Sequence, residues 1–472
     1  MGDAEANGCH DYPMGGLHML DAKERVALDR EILGEGLLSD EAYTLVETMS
    51  DMGSRFGGTE SERQAVDYML QKMSEYGFEN VRKEEFTYTG WIRGSASLEA
   101  THPVKQSFNV LGLPHCGSYS VEGELYYIGL GTPSEWEAHA DEVKGKIVLV
   151  DAKSPLWLRR GIHRLEKYGR ALEAGAIGFI WMRDQGGYLI ETGGMRVGSP
   201  IPAVGISREE GMALARLAKQ APDGKVRVKI EMENTVKELP SWNVMGDIPG
   251  TKLDDRMMVI GAHFDSHDIA PGSMDDASGT AVTLEAGRLL AQHRGKLART
   301  IRMICFPVEE IGLLGSRNYL SMHQEELDNV DFMLNLDGAG RGGEKGVMLQ
   351  AWPELIPIFK EISRDMKWPF VSDAVFGMHS DMFPFSLEGI PSANLQNVET
   401  VSTGRNWGHT ICDTLDKVSA HTLRLDSTFV ARLMARAANW EPWPAKRKDR
   451  EEIEGIMRDS GLTPEMKYAK MD

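Results

Sequence analysis

The amino-acid sequence predicts an α/β protein with a mostly parallel central sheet flanked by helices, interrupted by an inserted β-rich domain. Three observations carry that expectation. From residue 236 onward, short apolar runs alternate with helical patterns, which yields parallel strands covered on both faces. Between 96 and 235 the texture changes to a series of short buried runs with their own turns. A chain of 472 residues, 42% hydrophobic and 26% charged, can also bury more than one core without disulfide staples.

Taken in order, residues 1–20 lack periodicity and read as a flexible arm. Helical spacing runs from Asp21 to about Gly36 and again over 39–50. The GSRFGG turn at 53–58 delivers Thr59 as a helix N-cap, and Glu62 three residues on completes a capping box. That helix runs to Gly77, and a strand over 81–88 follows. In the insert, strands are expected over 123–128, 143–150, 178–182 and 201–207, with helices over 165–174 and 208–221. Alternation then resumes: strand 257–260, helix 280–293, strand 300–306, helix 316–327 and strand 332–337. Residues 446–472 are charge-rich and read as a solvated helical tail.

A net charge of −19 excludes nucleic acid or an anionic membrane as a partner held by bulk charge. No apolar run is long enough to span a bilayer. Cys9, Cys116, Cys305 and Cys412 are too scattered for a disulfide framework, and Cys305 sits in an apolar run as a small hydrophobe. Reduced thiols, with no basic stretch leading an apolar core in the first 30 residues, predict a cytoplasmic protein. A homodimer is left open.

The chemistry-bearing residues lie at the ends of the strands. One strand ends on His263, and Asp265 shares its face, placed to receive the imidazole N–H. Asp275 and Asp276 occupy the turn into the next helix, where they also suit a helix cap. The next strand ends in Glu309 and Glu310, and packing gives an apolar strand no reason to end in two acids. Another strand ends in Asp337, and His409 precedes a turn with Asp413 and Asp416 as caps. In open α/β sheets, ligands gather beyond the carboxyl ends of the strands. Two histidines and three carboxylates there suit a pair of borderline divalent ions such as zinc, with Glu309 beside them to move protons. The GAGRGG run at 338–343 formally matches a dinucleotide motif, but 344–350 reads as a strand rather than a helix, so no such site is expected.

In order, His263-x-Asp265, Asp275-Asp276-x-Ser278-Gly279, Glu309-Glu310-x-Gly312, Asn335-x-Asp337 and His409 with Asp413-Thr414 resemble the motifs of metallopeptidase family 28, co-catalytic di-zinc exopeptidases. The 53–58 turn resembles the family's N-terminal signature, and NVMGDIPG at 243–250 resembles its lead-in to the zinc strand. The insert, with GKIVLV at 145–150 and PIPAVG at 200–205, is similar to a protease-associated domain. The resemblance implies a catalytic domain split over 21–95 and 236–445, an insert over 96–235 and a charged tail over 446–472. It implies peptide substrates and two Zn2+ per chain, with Asp275 bridging. His263 and Asp337 would complete one ion, and Glu310 and His409 the other. Glu309 would be the general base and Asp265 the orienter of His263. A cis peptide between Asp275 and Asp276 is implied as well.

The chain also departs from the family pattern. Some members carry a Tyr just before the last His as an oxyanion donor, whereas Gly408 stands here, leaving Trp407 or His379 to substitute. The segment around His379, Ser380 and Asp381 resembles the family's substrate-side loop, with His379 displaced to the front of its usual Ser-Asp-His order. Arg405, four residues before His409, reads either as a solvent-exposed arginine or as a cation for a substrate carboxylate. The negative charge suits capture of an amine, so an aminopeptidase is expected, with a dipeptidase or carboxypeptidase as the alternative. A receptor-like binding protein is disfavoured because all five ligands and the base are present, and a single-metal zinc cyclase because it would lack the insert.

Overall fold

Two long strands join the halves of the molecule. In the computed structural model, which describes residues 17–158, 160–221, 225–398 and 407–469, Glu79–His102 and Arg227–Ile248 pair antiparallel. The expected strand over 81–88 is only the first part of this ladder. Each strand satisfies the other's backbone groups well past the point where apolar alternation ends. The expected boundaries at 95/96 and 235/236 fall on the two strands of this ladder, on either side of the register shift between Ile92 and Ser95.

To one side, Leu253–His263 lies between Arg299–Phe306 and Val330–Asn335, parallel to both, and Ser392–Asn397 continues the parallel set. Lys345–Leu349 and Val371–Ala374 form the outer edge, the former being the strand expected after the glycine-rich loop. To the other side, Tyr119–Gly129, Ile147–Asp151, Gly178–Met182 and Ala203–Ile206 run parallel. The sheet is therefore mostly parallel within each half, with antiparallel pairs at Lys345–Leu349 and at Val110–Gly112, and antiparallel again where Arg227–Ile248 joins the halves, a joint that needs no helical crossover.

Each half has its own apolar core. One gathers residues from Leu98 to Met232, including the fully buried Ile147–Asp151 strand. The larger one surrounds helix Ser278–Ala291, which is buried on nearly every residue beneath Glu41–Asp51 and Ala420–Ala438. Asp29 on helix Ala22–Leu38 accepts from both Arg432 (2.9 Å) and Arg436 (2.8 Å), locking that helix to Ala420–Ala438. Thr59 caps its helix as expected, but Glu62 accepts from the Gly58 N–H and the Ser241 hydroxyl rather than closing a capping box. Cys305 is fully buried, and no described helix is long and apolar enough to cross a membrane.

Both ends of the described residues are tied down more firmly than their composition suggests. Leu17–His18 pairs with Trp440–Glu441 and Leu20 is buried, so this part of the expected arm is anchored; residues 1–16 lie outside the described residues. The charge-rich C-terminal segment is not a solvated tail. Helix Arg450–Asp459 sends Ile453 and Met457 into the large core, and Tyr468 on Thr463–Ala469 packs against Gly169 of the insert. A stripe of two apolar residues one turn apart is too narrow to stand out among so many charges. Replacing Ile453 by Ala should cost about 2–5 kcal/mol and lower the unfolding midpoint measurably. A solvated helix would show a change within about 0.5 kcal/mol.

Candidate active site

Three neighbouring parallel strands bring their carboxyl ends to one edge, and each releases an acid or imidazole there. His263 ends Leu253–His263, Glu309 and Glu310 follow Arg299–Phe306, and Asp337 follows Val330–Asn335. Asp275 arrives on the turn before helix Ser278–Ala291, after which Asp276 caps that helix through the Gly279 N–H (3.1 Å). The peptide between Asp275 and Asp276 is cis.

These side chains form two clusters that share Asp275. His263 Nε2 lies 3.5 Å from Asp275 Oδ1, and His409 Nε2 lies 3.5 Å from Asp275 Oδ2. Asp337 completes the first cluster; Glu310, 3.1 Å from His409, belongs to the second. The second also contains His267, two residues beyond the His263-x-Asp265 motif and not singled out in the sequence. Atoms bound 2.0–2.1 Å from a tetrahedral ion lie roughly 3.3 Å apart, so this donor set and spacing fit a borderline divalent ion in each cluster.

The electrostatics agree. Burial alone would lower His263 and His409, yet the surrounding carboxylates raise both, His409 to about 9. That negative field would equally hold a metal cation. Burial raises Glu309, and Glu310 beside it adds to the shift although His263 opposes it, so Glu309 readily holds a proton. Glu310 goes the other way: burial is outweighed by His267 and His409, and its carboxyl is held well below the usual range.

The next layer of contacts fixes these groups. Asp265 accepts from the backbone N–H groups of Glu309 (3.0 Å) and Glu310 (3.3 Å), while its carboxylate stands 3.5 Å from His263 Nδ1. It therefore positions the Glu309–Glu310 turn at least as directly as it orients His263. That turn is strained: Val308, a β-branched residue, has φ +56°. Asp413 accepts from the Met274 and Asp275 N–H groups (2.8 and 3.1 Å) and so holds the Asp275 turn. Arg55 of the 53–58 turn is fully buried and donates to the carbonyls of Phe264 (2.6 Å), Gly272 (3.0 Å) and Pro271, clamping the loop between His263 and Asp275.

The clusters open into a cavity of about 500 Å³ whose far wall belongs to the insert. Thr192 donates its N–H to the His409 carbonyl (2.9 Å), and a Cβ on Gly194 would lie 2.6 Å from the Glu310 carbonyl, so the insert rests directly on the backbone of the second cluster. Arg164 of the insert and Arg341 of the glycine-rich loop line the cavity; neither was singled out in the sequence. His379 also lines it, paired with Glu465 of the C-terminal helix and stacked on His163 of the insert at 4.0 Å. Ser380 and Asp381 lie behind the site instead. Ser380 accepts from Asn335 (2.7 Å) and Asp381 from Ser316 (2.6 Å), both fully enclosed. Trp407 lies under Lys417, and Arg405 falls outside the described residues. No side chain fits at Gly408, where a Cβ would be 2.7 Å from Asp275 Oδ2.

A parallel sheet edge carrying two acid–imidazole clusters, with a proton-holding carboxyl in the same cavity, defines a metallohydrolase. Residues 243–434 match the model described as Peptidase family M28, and residues 121–214 match the PA domain. Aminopeptidase YwaD of Bacillus subtilis (strain 168) is 28% identical over 85% of this chain and 86% of its own length. Carboxypeptidase Q of Xenopus laevis is 24% identical over 73% and 74%. The crystal structure of BSAP, a zinc aminopeptidase from Bacillus subtilis, superimposes with a TM-score of 0.64 at 25% identity, covering 84% of this chain and 94% of that one. The catalytic half therefore contains a region similar to peptidase family M28, and the insert one similar to PA domains.

An Asp265→Asn variant keeps one acceptor for two N–H groups. Divalent-ion retention, followed by chelator titration, should weaken about 10–100-fold. Unchanged retention would show that Asp265 does not organise the turn.

Proposed function

We propose that the chain is a di-zinc exopeptidase releasing residues from the amino end of short peptides. The observation that supports it best is Asp275, which offers one oxygen to each acid–imidazole cluster beside Glu309 in a single cavity wall. His263 and Asp337 would hold one Zn2+, Glu310 and His409 the other. When bound, zinc polarises the scissile carbonyl and acidifies water. Glu309 takes the proton of the attacking water at its carboxylate and returns it to the departing amine. Its raised proton affinity suits both halves of that task. The enclosing wall of the insert admits a peptide end rather than a folded chain, and the acids around the ligands favour a substrate ammonium group.

A second reading, a dipeptidase, draws on Arg164 and Arg341. Both guanidiniums line the cavity, and Arg341 Nε is buried with no hydrogen-bond partner among the described residues. Such a group suits the free carboxylate of a two-residue substrate.

One comparison separates the readings. The zinc-loaded enzyme is offered a dipeptide, its C-terminal amide and its N-acetyl form. The aminopeptidase cleaves the first two and spares the third; the dipeptidase spares the amide as well. Cleavage of the N-acetyl form alone would overturn both. In the same assay Glu309→Ala should retain its zinc and lose about 10²–10⁴-fold in kcat, while full turnover would remove Glu309 from the mechanism.

A further inference from the structure

We propose that His267 is a third protein ligand of the ion held by Glu310 and His409, an inference that rests on the di-zinc reading above. His267 is 3% exposed, and its ring meets the His409 ring edge-on with centroids 4.6 Å apart. Its Nε2 lies 3.0 Å from Glu310 Oε2, yet neither ring nitrogen makes a hydrogen bond among the described residues. Two polar atoms at that distance without hydrogen-bond alignment aim at a common third point rather than at each other. Ligands of one ion behave in that way. A buried imidazole with both nitrogens orphaned is otherwise costly, because burying an unpaired polar group forfeits its hydration.

Simple packing does not account for the residue. The same space could hold an apolar ring without any orphaned nitrogen, and an imidazole whose purpose was to support Glu310 would donate to it in line. Instead, the donor atoms of His267, Glu310 and His409 all lie within 4.8 Å of one another. The two clusters then differ in kind. The first offers His263 with Asp275 and Asp337; the second offers two imidazoles, Glu310 and the far oxygen of Asp275. A nitrogen-rich second cluster selects zinc or cobalt over magnesium or manganese, and it would be the more tightly held of the two.

The test uses the full chain stripped of metal and reloaded with two equivalents of Zn2+. X-ray absorption on the wild-type protein counts imidazoles per ion. With His263, His267 and His409 all bound, the average should be about 1.5 per zinc, and an average of 1.0 overturns the proposal. In parallel, Co2+ titration of His267→Ala should show two uptake steps, one of them at least tenfold weaker than in the wild type and with an altered visible spectrum. Two wild-type affinities with an unchanged spectrum overturn the role of His267 and leave the di-zinc reading intact. Uptake of only one ion by the wild-type chain overturns both.

Discussion

The constraint that shapes this protein is mutual repulsion among carboxylates enclosed at one sheet edge. Asp265, Asp275, Asp276, Glu309, Glu310, Asp337, Asp381 and Asp413 converge there, most of them buried. Two like charges 4 Å apart repel by about 4 kcal/mol at an effective dielectric of 20, so the group cannot ionise together without cations. Burial accordingly drives Asp276 and Glu309 upward, Asp381 to about 7 and Asp413 to about 6, while the histidines hold Asp275 and Glu310 low. Arg55 and Arg341 supply fixed positive charge nearby. What remains is a site that takes either protons or metal ions, so metal uptake should be coupled to proton release.

The rest of the architecture keeps that cluster in place and covered. Parallel pairing brings three strand ends to a common level, and Asp265, Asp413 and Arg55 fix the intervening turns through backbone groups. Long strands then carry the insert across to the same edge, where Arg93 pairs with Asp268 through both carboxylate oxygens (2.6 and 2.7 Å) beside the ligands. A rigid ladder does this better than a flexible linker, because most residues of the connection are paired. The insert is a wall of the active site as much as a separate unit.

The catalytic edge was legible in the sequence because its signal is local. An apolar strand that ends in a carboxylate or imidazole is anomalous within a few residues, as at His263, Glu309, Glu310 and Asp337. What stayed hidden depends on distant partners. His267 reads as one more polar residue in a loop until Glu310 and His409 are brought against it from 43 and 142 positions downstream. Arg341 disappears into a glycine-rich run, and Ser380 and Asp381 resemble a substrate loop although Asn335 and Ser316 hold them behind the site. The continuation of Glu79–His102 is likewise specified by its partner strand rather than by its own alternation.

Access to the cavity depends on a junction of three chain segments. His163 belongs to the insert, His379 to the catalytic half and Glu465 to the C-terminal helix. Glu465 is buried and engages His379, whose ring stacks on His163, while Lys467 pairs with Glu173 of the insert (2.5 Å) on the outer side. The insert is therefore restrained from both ends: the long strands hold its base, and the C-terminal helix holds its rim. A wall fixed at two points is held more firmly than a single-hinged lid would be. Selection for peptide ends would then follow from a standing barrier across the edge that carries Glu309 and the two acid–imidazole clusters.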